Sequence, residues 1–131
     1  RMKERFPALH ISVNGGIATL AEARAFLDAG LDGAMIGRAA YHEPWSALAG
    51  VDEAIFGGAA GPEPVAVALA MRPYIEGHLA SGGRLHQITR HMLGLFHGRA
   101  GARLWRRHLS EHGNAPDAGW SVIEEALSRL L

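Results

Sequence analysis

Two short apolar runs on either side of one amphipathic segment constrain the fold of this chain more than any other feature. The first run spans residues 10–13 (HISV) and is stopped by NGG at 14–16; the second spans 33–36 (GAMI) and is stopped by GR at 37–38. Short apolar runs that end at glycine are typical of buried strands. With a helix between them and short connections, the two strands form a βαβ unit and are parallel.

The helix between the two strands has recognisable start and stop signals. Thr19 and Glu22 stand at the spacing of a capping box, in which the side chain of each residue accepts a hydrogen bond from the backbone N–H of the other. Leu20, Ala23 and Leu27 repeat on one face, and Gly30 follows as a helix stop. We therefore expect one helix from about residue 19 to residue 29.

A single βαβ unit cannot be a domain, because its two strands leave open edges and an uncovered face. The chain also begins at Arg1 rather than at an initiator methionine. We therefore expect residues 1–57 to be the last part of a larger α/β domain, and the chain to be the C-terminal piece of a longer protein.

Residues 58–131 predict an all-α domain of four amphipathic helices in a small antiparallel bundle. The expected helices are 65–80, in which Pro73 should kink or split the helix, then 84–97, 102–112 and a last one that opens at a capping box, Ser121–Glu124. The side chains expected in the core include Val65, Leu69, Ile75, Leu85, Ile88, Met92, Leu95, Phe96, Leu104, Trp105, Leu109, Trp120, Ile123, Ala126 and Leu127.

Charge is balanced overall but unevenly distributed. Thirteen Lys and Arg residues match thirteen Asp and Glu residues, yet no acidic residue lies between Glu76 and Glu111, where six arginines fall. Arg103, Arg106 and Arg107 share one face of the helix expected at 102–112. A one-sided basic surface of this kind suggests a phosphate-rich partner, such as a nucleic acid, and a solvated helix surface is the alternative.

Composition excludes several classes of protein. The chain has no cysteine, which excludes a disulfide scaffold, thiol catalysis within these residues and an iron–sulfur site. No apolar stretch is long enough to span a bilayer and no signal peptide is recognisable, so we expect a cytoplasmic protein with no membrane partner. Residues 108–112 (HLSEH) match a zinc-protease pattern but lack a third ligand, and we expect no metal.

The two glycine turns carry the clearest chemical signal. Both follow strands, and the carboxyl ends of parallel strands are where α/β sheets bind ligands. Asn14, Gly15, Gly16 and Gly37 expose backbone N–H groups there, and Arg38 adds a guanidinium that can bind phosphate in a bidentate manner. In (β/α)₈ barrels the loops after the last two strands commonly form a phosphate site.

At these residues the chain resembles a known family. The segments ISVNGGI at 11–17, DGAMIGRAAYHEPW at 32–45 and ITRHMLGLFHGRAGARLWRRHLSE at 88–111 are similar to the C-terminal portion of the tRNA-dihydrouridine synthases, most of all the A-type subfamily. The resemblance covers nearly the whole chain from about residue 10. The third segment is its most specific part.

The resemblance implies a flavin enzyme that uses FMN and NADPH to reduce uridines in the tRNA D-loop. It implies that residues 14–16 and 37–38 hold the FMN phosphate at the end of a TIM barrel. It also implies that the following helical domain binds tRNA, with Arg103 and Arg106 at matching positions. The catalytic cysteine of the family has no counterpart here, so we expect it to lie outside this chain and the chain alone to be inactive.

Two other functions remain open from the residues alone. A TIM-barrel flavin oxidoreductase that acts on a small metabolite would have the same glycine turns, but would not need an arginine-rich helical domain. A non-enzymatic RNA-binding module would explain that domain, with the glycine turns serving only as structure.

Overall fold

The computed structural model describes residues 2–130, which fold into two compact units. The first unit ends at Gly61 and the second begins at Pro62. Each unit has its own arrangement of helices. Strands occur only in the first unit within the described residues.

The first unit is built around the predicted βαβ arrangement. Strand β1 (Ser12–Asn14) pairs in parallel with β2 (Gly33–Met35), and helix α2 (Leu20–Asp28) connects them. In the register of this pair, Asn14 lies opposite Met35, so both strands end at the same edge. The remaining elements of the unit are α1 (Met2–Arg5), α3 (Arg38–His42), α4 (Pro44–Leu48) and α5 (Val51–Phe56). The parallel βαβ prediction is confirmed.

The start of α2 is fixed by the capping box that the sequence predicts. The Glu22 backbone N–H donates to Thr19 Oγ1 at 3.2 Å, and the Glu22 carboxylate accepts from the Thr19 N–H at 3.1 Å. The same carboxylate accepts from the Ala18 N–H at 2.7 Å. These backbone bonds, first that of Ala18 and then that of Thr19, lower the pKa of Glu22.

The predicted burial of the two strands is wrong in this chain. Met35 is 56% exposed, and the described residues contain no third strand that could cover it. A groove of about 320 Å³ also opens between α2, β2, α4 and α5, with apolar side chains such as Leu20, Leu27, Ile36 and Ile55 along it. The fully buried apolar side chains of this unit are few: Ile17, Ala23 and Ala47.

The second unit is helical. Its helices are α6 (Pro64–Ala70), α7 (Arg72–Ala80), α8 (His86–Thr89), α9 (Ala102–His112) and α10 (Ser121–Ser128). The predicted effect of Pro73 is confirmed, since the helical run divides at Met71 and the proline lies in the first turn of α7. Backbone N–H groups in a first turn have no partner within the helix, so the missing N–H of proline costs no hydrogen bond there.

The helix predicted over 84–97 is wrong beyond its first turn. Only His86–Thr89 is α-helical, and i→i+3 bonds follow, from Met92 N–H to Thr89 O at 2.9 Å and from Leu95 N–H to Met92 O at 3.1 Å. The Met92 carbonyl oxygen also accepts the indole N–H of Trp105 at 3.0 Å. The Met92 carbonyl oxygen thus accepts two bonds, the i→i+3 bond from Leu95 and the bond from Trp105 on α9. A bundle of four continuous helices is not confirmed.

The capping box predicted at Ser121 is also wrong. Helix α10 begins at Ser121, but Trp120 holds the N-cap position and no side chain caps the helix. Glu124 instead lies 3.5 Å from an Arg72 guanidinium nitrogen, and that guanidinium stands 5.5 Å from the centre of the Trp120 ring. Because the backbone of Trp120 is already helical (φ −57°, ψ −31°), Ser121 lies inside the helix and not at its N-cap.

One continuous core holds the second unit together. Its centre is Trp105, which is fully buried and packs edge-to-face on Phe96 with 4.8 Å between ring centroids. The other predicted members that are buried are Ile75, Leu85, Ile88, Met92, Leu95, Leu109, Trp120, Ile123, Ala126 and Leu127. Val65, Leu69 and Leu104 were expected in this core but are exposed. The buried face of each helix is therefore narrower than its apolar repeat predicts.

His108 is a buried polar side chain of this core, with 2% of its surface exposed. Burial lowers its pKa, and the positive charges of Arg129 and His112 lower it further, whereas Glu125 and Glu111 act in the opposite direction. Its Nε2 stands 3.5 Å from a Glu125 carboxylate oxygen. The folded unit therefore favours the neutral imidazole.

Stability is expected to decrease in mild acid for this reason. The folded state binds fewer protons than the unfolded state, so the free energy of unfolding is greatest above the ordinary histidine pKa of about 6.5 and falls as the pH drops below it. Urea denaturation at pH 7.5 and pH 5.5 measures this, and His108→Leu should show a smaller difference between the two. An equal difference in both proteins would contradict the assignment to His108.

Candidate functional site

The five residues predicted to hold a phosphate line one cleft in the first unit. Its volume is about 540 Å³, and it lies at the edge of the sheet where β1 and β2 both end. The predicted residues at its wall are Asn14, Gly15, Gly16, Gly37 and Arg38. The fold thus brings together two turns that are more than twenty residues apart in the sequence.

The backbone at the first turn requires glycine. Gly15 has φ +149° and Gly16 has φ +68°, values that residues with a Cβ rarely adopt. A Cβ added at Gly15, Gly16 or Gly37 would meet no atom within 4 Å. The space beside these three residues is therefore open to a ligand, which can approach the backbone closely.

The second turn leads directly into α3. The N–H groups in the first turn of a helix have no partner within it and point towards any anion placed there. Arg38 is the first residue of α3, is exposed, and its side chain forms no hydrogen bond or ion pair with any described residue. The guanidinium is thus available at the cleft. The donors at this end suit a phosphate group.

Two further side chains at the cleft were missed by the sequence analysis. His42 and Glu43 follow Arg38 by four and five residues, about one helical turn, and both line the cleft. The i→i+4 spacing from Arg38 is the signal that could have found His42. Glu43 adds a carboxylate to the wall of the cleft, and its charge is opposite to that of Arg38.

A separate basic face lies on α9 in the second unit. Trp105, His108 and Leu109 are buried on one side of this helix, while the arginines at positions 103, 106 and 107 are exposed on the other. The Nε atom of Arg107 stands 3.9 Å from the Glu111 carboxylate, a loose pair. The Arg103 and Arg106 side chains form no ion pair with any described residue. We call Arg103, Arg106 and Arg107 the α9 basic face.

Other arginines of the second unit are already paired with carboxylates. Arg72 contacts Glu76 at 2.7 Å, and Arg99 contacts Glu63 at 2.7 Å. These pairs neutralise part of the positive charge away from α9. Within the α9 basic face, Arg107 has a loose carboxylate partner, while Arg103 and Arg106 have none among the described residues.

The zinc-like pattern at 108–112 does not form a ligand cluster. The His108 and His112 rings are tilted, with 4.4 Å between their centroids, and no group of three or more potential ligands is placed to hold a metal within residues 2–130. In the same part of the chain, no helix is long and apolar enough to cross a bilayer.

Comparison with known proteins decides the family. The family model described as dihydrouridine synthase matches residues 1–130. The chain belongs to the dihydrouridine synthase family. The family resemblance drawn from the three sequence segments is thereby confirmed.

Curated members of this family are closely similar to the chain. The tRNA-dihydrouridine(20/20a) synthase of Escherichia coli (strain K12) is 52% identical over 128 residues, which make up 97% of this chain and 36% of that protein. The proteins of the same name from Shewanella oneidensis and Yersinia pestis are each 50% identical, over 127 and 129 residues. This dihydrouridine synthase chain spans somewhat more than a third of the length of these relatives, which fits the expectation of a piece of a longer protein.

Proposed function

We propose that this chain is the part of a tRNA-dihydrouridine synthase that holds the phosphate of FMN and contacts tRNA. The complete enzyme would reduce uridine to 5,6-dihydrouridine in the tRNA D-loop. The observation that carries the proposal is the cleft where both glycine turns and Arg38 meet at the ends of two parallel strands. Relatives of about 50% identity that are named for this reaction support the substrate.

The cleft fits the phosphate end of the cofactor. Its glycines leave open space beside the backbone, and the start of α3 and Arg38 provide N–H donors. Asn14, Gly15, Gly16, Gly37 and Arg38 would hold the phosphate. Bound FMN would supply the electrons for the reduction of the uracil ring, with NADPH as their source. In this chain the residues bind and orient; they do not supply the catalytic acid.

We propose that the first unit, residues 1–57 with its linker, is the last part of an FMN-binding TIM barrel. The uncovered strand pair and the open apolar groove beside α2 agree with a unit whose remaining strands lie elsewhere in the protein. Because the chain has no cysteine and only two strands among its described residues, we propose that it is inactive alone.

We propose that the second unit, residues 58–131 in the sequence division, binds tRNA through the α9 basic face. Exposed arginines at helical spacing neutralise successive phosphates and release counterions, which gives affinity without sequence preference. Of the three arginines of the α9 basic face, only Arg107 contacts a carboxylate among the described residues, which leaves Arg103 and Arg106 available to bind phosphates. A tRNA substrate would place the enzyme in the cytoplasm.

The proposal is tested on the protein produced from the whole open reading frame that contains this chain. A purified protein with the visible absorption bands of flavin, and with dihydrouridine formed in tRNA when NADPH is added, is the expected result. A colourless folded protein that binds tRNA would instead favour the RNA-binding module. A flavoprotein that leaves tRNA unchanged and has no affinity for it would favour a small-metabolite oxidoreductase.

Arg38→Ala in that protein is expected to weaken FMN binding by about tenfold or more, since hydrogen bonds to charged groups contribute about 1.5–3 kcal/mol. Dissociation constants from flavin fluorescence titration of the deflavinated protein measure the change. Arg5→Ala removes an exposed arginine from α1 of the same unit and is the matched control. Equal affinities for the Arg38 and Arg5 variants would remove Arg38 from the phosphate site.

A further inference from the structure

A small pocket in the second unit has no role in the function proposed above. It lies between α8, α9 and the turn after α9, and has a volume of about 150 Å³. It is smaller than the pockets of about 300 Å³ or more that hold drug-sized ligands. The residues at its wall are His86, Thr89, Arg90, Leu93, Leu109, Ser110 and Asn114.

The pocket contains hydrogen-bonding groups that the fold leaves unused. The Ser110 hydroxyl and the Asn114 amide are on exposed residues and form no hydrogen bond with any described residue. The Nδ1 atom of His86 is buried, also without a partner in that part of the chain. A buried polar atom is normally paired, so the unpaired Nδ1 atom of His86 at this pocket points to a ligand, to which the exposed Ser110 and Asn114 side chains offer further hydrogen bonds.

Close backbone packing fixes the position of Asn114. A Cβ added at Gly113 would stand 2.5 Å from the Leu109 carbonyl oxygen and 3.2 Å from Thr89 Oγ1. Glycine therefore lets the turn after α9 approach α8. The Asn114 side chain is held at the pocket by this approach rather than by a bond of its own.

The chemistry of the wall favours an unpaired nucleobase over a phosphate. Ser110 and Asn114 offer both donors and acceptors, which match the mixed edge of a base, whereas a phosphate only accepts. Leu93, which is only partly buried, provides an apolar surface that suits the face of a base and not an anion. Arg90, whose Nε donates to His91 Nε2 at 3.0 Å, brings a planar guanidinium on which a base can stack.

The pocket is continuous with the α9 basic face. Ser110 follows Arg106 and Arg107 by four and three residues, so all three lie on the same side of α9. An RNA backbone bound along these arginines would bring its nucleotides to the pocket. We infer that this pocket binds an unpaired base of the tRNA, as a contact separate from the uridine to be reduced; the inference rests on the proposed tRNA-binding function.

The test compares base and phosphate contacts by their salt dependence. The complete 131-residue chain is titrated with a labelled tRNA transcript between 50 and 200 mM salt. The double variant Ser110→Ala/Asn114→Ala should weaken binding about 5- to 150-fold, since a stacked or bonded base contributes about 1–3 kcal/mol, and should leave the salt slope unchanged. Ser121→Ala, an exposed serine of α10, is the control and should bind as the original chain does.

Each alternative outcome has a distinct meaning. A reduced salt slope in the double variant would show that a phosphate occupies the pocket, and would overturn the inference. Unchanged affinity of the double variant, with tRNA still bound through the α9 basic face, would also overturn it while leaving the proposed function intact. No tRNA binding by the original chain would contradict the tRNA-binding function itself.

A second measurement uses free ligands on the same chain. Uridine, cytidine, adenosine and inorganic phosphate are added in turn while the backbone amide signals of Ser110 and Asn114 are followed by NMR. At least one nucleoside should shift these signals at concentrations where phosphate does not. A response to phosphate alone would overturn the base assignment.

Discussion

Replacing Arg103 and Arg106 together by alanine is expected to lower the slope of log Kobs against log salt for tRNA binding by about 1.4 to 1.8. Each arginine that neutralises one phosphate contributes about 0.9 to this slope on a duplex and about 0.7 on a single strand. Affinity at low salt should fall with it. Anisotropy titrations of the 131-residue chain at several salt concentrations measure both quantities.

The matched control for this pair is Arg84→Ala. Arg84 is also exposed and in the second unit, but it lies outside α9, so its loss removes a charge and not a contact of the basic face. A slope that falls equally in the control would show a general effect of net charge. An unchanged slope in the double variant would remove Arg103 and Arg106 from the interface.

Trp105→Ala is expected to lower the free energy of unfolding of the second unit by about 3–5 kcal/mol, the usual cost of removing a large buried aromatic side chain. Trp105 is fully buried, packs on Phe96 and donates its indole N–H to the Met92 carbonyl oxygen. Urea denaturation followed by circular dichroism measures the loss.

Two companion variants separate the causes of this loss. Trp105→Phe keeps much of the apolar volume but leaves the Met92 oxygen without its indole donor, and should lose an intermediate amount. Leu104→Ala changes the neighbouring residue on the exposed side of α9, where substitutions usually cost no more than about 0.5 kcal/mol. A Trp105→Ala protein as stable as the Leu104 variant would place Trp105 outside the core.

Local sequence signals predicted the elements whose causes are local. The capping box at Thr19 and Glu22 sets the start of α2 with side chains three residues apart. The bounds of α9 follow from its own apolar repeat, which also places Arg103 and Arg106 on the exposed side. The glycine turn at residues 14–16 was recognisable because Gly15 and Gly16 have positive φ angles, which residues other than glycine rarely adopt.

Predictions failed at two segments that distant side chains contact. The segment after Thr89 has the periodicity of a helix and buries the expected side chains, yet its backbone forms i→i+3 turns. At the start of α10, the helical backbone of Trp120 places Ser121 inside the helix, and Glu124 contacts Arg72. Trp105 is 13 residues beyond Met92, and Arg72 is 52 residues before Glu124.

By itself, the sequence determined the parallel βαβ arrangement, the position of the two glycine turns and the polar face of α9. Each depends on residue type and spacing within one element or between elements that follow one another directly. Only the tertiary structure decided which carbonyl Trp105 bonds, and that Ser110 and Asn114 share a pocket with His86. The packing of α8 against α9 brings these groups together, and no local spacing encodes contacts between residues so far apart in the chain.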